Sequence, residues 1–197
     1  SYFSGAITAV LIVFLASFYS YLKFYSVKVR SYVFLFAVPF ILPSSILGLS
    51  LIAFYNPGIL NRIYTSPGMP IIGLFTRFFI LAVLYFSFKF KRMDKNLADE
   101  LKLNYSMLRG YFKVILPLLK ADLVTVFLLT FALSISEYGI VHLITPPGYQ
   151  MLTIKIYNYL HYGSSEVVFA LNLTVFVTIL ISGFVIACLY GIKGEKK

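Results

Sequence analysis

Charge, cysteine and tryptophan are what this 197-residue sequence has least of. Only 12% of its residues are charged, with seven acidic side chains, two histidines, one cysteine and no tryptophan. A soluble domain carries about 25% charged residues and about 45–50% apolar ones. Here the apolar share is 60% and the mean hydropathy is +0.88. A water-soluble monomer has no means of hiding that much apolar surface. The composition therefore excludes a soluble enzyme and a nucleic-acid binder, and it implies an integral membrane protein. The lone Cys188 rules out an intrachain disulfide framework and a multi-cysteine metal site. His142 and His161 stand 19 residues apart, which is no recognised ligand spacing, and read as polar rim residues rather than metal ligands. The sequence has no Gly-rich Lys-Ser/Thr phosphate loop, so any ATP hydrolysis tied to it belongs to another chain.

What is present is apolar sequence in long runs. A helix needs about 20 apolar residues to cross the hydrocarbon core. Five runs meet that length: Tyr2–Leu22, Val33–Tyr55, Ile71–Phe90, Leu118–Val141 and Val167–Tyr190. They are continuous rather than alternating, which excludes spanning β-strands. Pro39 and Pro43 are expected to kink the second run, and their freed carbonyls are candidates for a pathway lining. The first run starts almost at Ser1, without a basic segment or a small-residue cleavage site, so it reads as a span and not a signal peptide. The absence of an initiator Met points to sequence upstream.

The net charge of +10 has a direction. Fourteen of the seventeen basic residues fall in the first loop, the third loop and the C-terminus: Lys23, Lys28 and Arg30; Lys89, Lys91, Arg92, Lys95, Lys102, Arg109, Lys113 and Lys120; Lys193, Lys196 and Lys197. The opposite segments hold Arg62 and Lys155, with Arg77 just inside the third run. Cytoplasmic loops carry the excess of Lys and Arg. The expected topology is therefore N-terminus outside and C-terminus cytoplasmic. The outer loops carry turn signals at Asn56-Pro57-Gly58, Ser66-Pro67-Gly68 and Pro146-Pro147-Gly148. After the last of these, the apolar spacing across Met151–Leu160 predicts a short interfacial helix. The tyrosine-rich ends read as interfacial anchors rather than a substrate cage.

The third loop, Met93–Leu116, is amphipathic, with Leu97, Leu101, Leu108, Phe112 and Ile115 at helical spacings. Asn104, Tyr105 and Ser106 break the pattern, and Ser106 is placed to cap a second helix. The expectation is a cytoplasmic helix–turn–helix that leads through Pro117 straight into the fourth span. Such an exposed hairpin suits the groove of a partner protein, while its basic residues also suit anionic lipid headgroups. Glu137 and Arg77 are charges set well inside the runs rather than at their lysine-rich ends. Glu137 lies fifteen residues, about 22 Å, from Asp122, at a depth similar to that of Arg77. They are expected to pair across the bundle, either as a structural ion pair or as a pathway and gate lining.

The stretch Leu97-Ala98-Asp99-Glu100-Leu101-Lys102-Leu103-Asn104, followed thirteen residues after Asn104 by Pro117 in Ile115-Leu116-Pro117, resembles the EAA loop of ABC-transporter permeases. That motif has Glu-Ala-Ala, then Gly, then a closing Leu-Pro. Here Ala98-Asp99-Glu100 stands for Glu-Ala-Ala and Asn104 for Gly. Asn is the side chain that best tolerates a left-handed turn. Ser136-Glu137-Tyr138-Gly139 and Thr145-Pro146-Pro147-Gly148 through Asn158 resemble the binding-protein-dependent permeases for ferric iron, thiamine and related solutes. The resemblance covers nearly the whole chain. It implies an all-α type I importer (MetI-like) permease core of five spans, as one half of a two-half permease or a trimmed subunit. It also implies an ATPase-coupling loop at Ala98, Asp99, Glu100, Asn104, Tyr105, Ser106, Gly110 and Pro117. The implied partners are cytoplasmic ABC ATPases holding ATP and Mg, a second permease half or homodimer mate, and an extracytoplasmic solute-binding protein. No cofactor is expected on this chain. The rival readings are an ion-gradient-driven secondary transporter, with Glu137 its only coordinating candidate, and a membrane-embedded lipid-modifying enzyme, for which no polar cluster is found.

Overall fold

The structure is a computed structural model that describes residues 1–25 and 33–194, the side chains of 95 and 190–194 aside. Lys28, Arg30, Lys196 and Lys197 of the charge count lie outside the described residues, as do the side chains of Lys95 and Lys193. Among the described residues the chain is all-α, without a β-strand. In chain order the helices are α1 (Tyr2–Tyr25), α2 (Val33–Ile41), α3 (Ser44–Tyr55), α4 (Asn61–Tyr64), α5 (Gly68–Lys91), α6 (Lys95–Asn104), α7 (Met107–Gly110), α8 (Leu116–Leu118), α9 (Lys120–Ser136), α10 (Gly139–Ile144), α11 (Leu152–Tyr162) and α12 (Ser165–Gly194). A π-helical turn at Tyr111–Ile115 joins α7 to α8. Three helices, α1, α5 and α12, are long and apolar enough to cross a membrane, or up to five if each of two bent pairs counts as one span.

The core is built by α1, α5 and α9. The ends of α1 and α5 meet at Tyr21, Phe24 and Phe90, with ring centroids 6.4 and 5.3 Å apart, so the two helices run parallel. Helix α9 runs against them. Its start places Asp122 beside Lys89 near the end of α5, and its far end places Phe131 6.2 Å from Tyr2. Lys23, Lys89, Lys91, Arg92, Lys102, Arg109, Lys113 and Lys120 thereby gather at one end of the bundle, through the ends of α1 and α5 and the segment that follows them. Lys155 belongs to the opposite end, because Thr153, two residues before it, donates to the Glu137 carbonyl beyond α9.

Two expected spans are broken. The run Val33–Tyr55 is no kinked helix but two helices at 111°. Pro43 has no N–H to give the carbonyl of Pro39 and drives Leu42 out of helical geometry, so α3 starts afresh after Pro43. The run Leu118–Val141 is likewise divided. Helix α9 ends at Ser136, Glu137 is extended (φ −74°, ψ 120°), and α10 begins at Gly139. Nor does the third loop lead straight into this span. The segment Met107–Leu118 meets α9 at 79°. Pro117 has no N–H for an α-helical bond to the Lys113 carbonyl, a π-helical turn precedes it, and Leu119 departs from helical geometry at φ −94°, ψ 6°. The remaining runs coincide with α1, α5 and α12 to within a few residues, and the interfacial segment forms α11.

Candidate functional site

Two clusters hold the residues singled out by the sequence, one at each end of the bundle. At the lysine-rich end, Asp94 caps α6 by accepting from the Asn96 N–H at 3.0 Å. One face of α6 is buried through Ala98 and Leu101, at 7% and 2% exposure. Asp99, Glu100, Lys102 and Leu103 point away, and Leu103 is 85% exposed. The chain turns at Tyr105 and Ser106. This turn uses no left-handed residue: Asn104 stays helical and Tyr105 is extended (φ −137°, ψ 141°). The Asn104 side-chain amide donates to the Glu100 carbonyl at 3.1 Å. Ser106 occupies the N-cap position of α7, but its side chain makes no capping bond. Pro117 sits in α8, one residue before the break into α9.

This segment is bolted to α1. The Tyr21 hydroxyl donates to the Met107 carbonyl at 3.0 Å, and the Tyr111 hydroxyl shares a 2.7 Å hydrogen bond with Ser17 inside the core. A Cβ on Gly110 would stand 2.9 Å from the Tyr21 hydroxyl, so a side chain there would displace that hydroxyl. Phe18 packs edge-on against Tyr111 at 5.0 Å. A shift of the hairpin therefore acts directly on α1. The exposed side of the hairpin carries Leu103, Tyr105, Met107, Leu108 and Phe112 beside Asp99, Glu100, Lys102 and Arg109.

At the opposite end, Arg77 and Glu137 meet. Arg77 Nε lies 3.5 Å from Glu137 Oε2, with 18% and 13% of the side chains exposed. A second arm of the guanidinium donates to Ser44 Oγ at 2.9 Å, at the start of α3. The other Glu137 oxygen accepts from the Ile140 N–H at 3.2 Å, holding the first turn of α10. One ion pair thus ties the broken ends of both bent helices to the middle of α5. The joint is close. A Cβ on Gly139 would fall 2.6 Å from Ser44 Cβ, and one on Gly73 would fall 2.2 Å from Ile144 Cδ1. Beside it, His142, Tyr138, Tyr157 and His161 form a run of stacked rings, with successive centroids 5.0, 5.0 and 4.3 Å apart. Both histidine rings are engaged in that stack.

The pairing of Arg77 with Glu137 was legible from depth. A second pair was not. Asp122 is 1% exposed, accepts from the Tyr85 hydroxyl at 2.8 Å and lies 3.0 Å from Lys89 Nζ. Its signal was a lone carboxylate opening an apolar run, beside a basic cluster too large to name one partner. Compared with known proteins, the chain matches no family model and no curated relative.

Proposed function

We propose that this chain is the membrane-spanning permease subunit, or half-subunit, of an ATP-driven importer with a MetI-like core, its N-terminus outside and its C-terminus cytoplasmic. On this reading α2 with α3 forms one interrupted span and α9 with α10 another, which with α1, α5 and α12 gives five. The observation that carries it is the hairpin Lys95–Leu118: one face is locked onto α1, while the other presents Asp99, Glu100 and the exposed Leu103 at the lysine-rich end. An apolar knob on a charged, rigidly held hairpin fits a groove in a cytoplasmic ATPase. Closure of the ATPase pair around ATP and Mg would push the hairpin, Tyr21 and Tyr111 would pass that motion to α1, and the bundle would rock against a second permease half. The joint at Arg77 and Glu137 would then act as the outer gate, opening to a solute delivered by a binding protein. Ferric iron, thiamine and related small solutes are the cargo class that the motif resemblance points to.

The changes Asp99→Lys and Glu100→Lys, made together with Leu103→Asp, should reduce ATPase co-purification by at least about tenfold, since each introduces a mismatched charge or removes the knob. Normal assembly and normal ATP-driven uptake in that variant would refute the coupling role. Impermeant-reagent labelling of Lys102→Cys only from inside, and of Lys155→Cys only from outside, in a Cys188→Ser background, is the result the topology requires.

The secondary-transporter reading has one observation in its favour. Interrupted helices meeting at a buried charge are how ion-coupled transporters build midplane sites, and α2/α3 and α9/α10 meet at Arg77–Glu137. Uptake into vesicles driven by an ion gradient, without ATP or an ATPase, would favour it.

A further inference from the structure

Beneath the hairpin lies a cleft of about 640 Å³ between the ends of α1 and α5 and the flank of α6. Its mouth carries Lys23, Lys91 and Lys102, one from each of the three helices, and its wall holds the hydroxyls of Ser20 and Ser87, 3.5 Å apart. Among the described lining residues Asp99 is the one carboxylate, and it pairs with Lys102 at 3.1 Å. The lining therefore keeps a net positive charge. The cleft does not end in polar surface. It runs along α5 from Lys91 back to Leu84, about 10 Å at 1.5 Å per residue. Leu84, one turn beyond Ser87, and Phe88 are 37% and 62% exposed, so the cleft opens sideways along the apolar flank of the bundle, with Phe24, Phe90 and Met93 adding apolar surface beside the lysines.

Lysines, hydroxyls and an exposed apolar wall in one cleft match the phosphate, glycerol backbone and acyl chain of a phospholipid. A soluble phosphate would leave the apolar half uncovered, and a zwitterionic headgroup would place its own ammonium against the lysines. We propose that this cleft is a specific site for an anionic phospholipid of the leaflet at the lysine-rich end. The lipid would occupy the seam between α6 and α1/α5 and so brace the hairpin. The site rests on the helices lying in a bilayer, not on the chain being an importer.

The chain has no tryptophan, so Leu84→Trp provides a single reporter inside the cleft. In vesicles at equal mole fraction, phosphatidylglycerol brominated on its acyl chains should quench this Trp several-fold more than equally brominated phosphatidylcholine. Lys23→Gln, Lys91→Gln and Lys102→Gln together should abolish the difference, at about fivefold in affinity for each lysine. The corresponding Lys→Arg triple should keep it. Arg109→Gln, Lys113→Gln and Lys120→Gln, at the same end but outside the cleft, should also keep it. Equal quenching by both lipids overturns the site, as does equal loss in the two Gln triples. Suppression of the preference by millimolar inorganic phosphate would identify a phosphate site instead, and would overturn it too. Should the Gln triple fail to fold, the comparison of the two brominated lipids on Leu84→Trp alone still decides.

Discussion

Helices α1 and α12 are nearly alike as sequence and opposite as structure. Both are long, and their most apolar windows have mean hydropathies of 1.9 and 2.3. Half of that window is buried in α1, against 6% in α12. The difference lies in the small and hydroxyl residues. Helix α1 turns Ser4, Gly5, Thr8, Ala9, Ala16, Ser17 and Ser20 into the bundle, where short side chains let neighbouring backbones approach. Helix α12 presents Leu173, Phe176, Leu180, Ile181 and Phe184 outward and has no charge between Glu166 and Lys193. Hydropathy therefore reports which segments enter an apolar phase. Both helices carry small residues, and the side to which these turn reports which helix faces protein. In the proposed assembly the flank of α12 is left to lipid or to the second permease half.

The largest expected effect sharpens the part of this contrast that concerns charge. Glu137→Gln leaves Arg77 without its carboxylate beside the broken helices, and stranding one member of a buried pair costs roughly 3–5 kcal/mol. With 18% and 13% of the two side chains exposed, the low end of that range is expected. Arg77→Gln should cost a similar amount, while the double change should recover much of the loss. Glu166→Gln, on the exposed start of α12, should leave the thermal midpoint in the same detergent unchanged. Strictly additive losses for Arg77 and Glu137 would mean that the pair does not hold the joint.

That pair also marks how far sequence carries here. The helical class, the positions of α1, α5, α11 and α12 and the helix–turn–helix at 95–118 follow from run length and periodicity, which depend only on local order. The depth of Arg77 and Glu137 followed from rise per residue along two helices taken as straight. The breaks at Pro43, Glu137 and Leu119 were not legible, because a proline or a lone glutamate is compatible with a kink as well as with a stop. At Pro43 and Glu137 the local break is fixed as a sharp bend by the close approach of α10 to α3, with Gly139 against Ser44 and Gly48 against Leu143. No left-handed turn forms at Asn104: it stays helical, and the chain reverses through the extended Tyr105 and Ser106. The segment Lys95–Leu118 could be read as a hairpin, but not which face it buries. That is fixed by Tyr21 and Tyr111, far apart in sequence.

A matched pair of alanines tests the packing half of the contrast at an intermediate size. Ala16 in α1 is fully buried and Ala170 in α12 is exposed. Leucine at position 16 adds three carbons to a filled contact and should cost about 1–3 kcal/mol by overpacking, read as a lower midpoint of thermal aggregation. Ala170→Leu should shift that midpoint by no more than the scatter of repeat measurements. Equal shifts at the two sites would show that α12 is packed against protein in the state measured.

The smallest effect concerns hydroxyl groups, which both helices carry but use differently. In α12, Thr174 donates to the Ala170 carbonyl one turn back in its own helix at 2.8 Å. That bond neither crosses to another element nor leaves a partner stranded when it is lost. In α1, Ser17 bonds the Tyr111 hydroxyl at 2.7 Å, across ninety-four residues of sequence and inside the core. Ser17→Ala removes that bond and leaves the tyrosine only the Phe14 carbonyl, at 3.5 Å. A lost bond of this kind costs about 1 kcal/mol, and somewhat more where the remaining group stays buried. The expected loss for Ser17→Ala is therefore about 1–2 kcal/mol, with Thr174→Ala near zero. Hydrogen exchange of the backbone amides across 107–116 gives a second reading. Ser17→Ala should speed exchange there, since Tyr111 anchors that segment to α1, whereas Thr174→Ala should leave it unchanged. If Ser17→Ala lowers stability without altering exchange at 107–116, the serine serves α1 packing alone and is no link between the hairpin and the bundle.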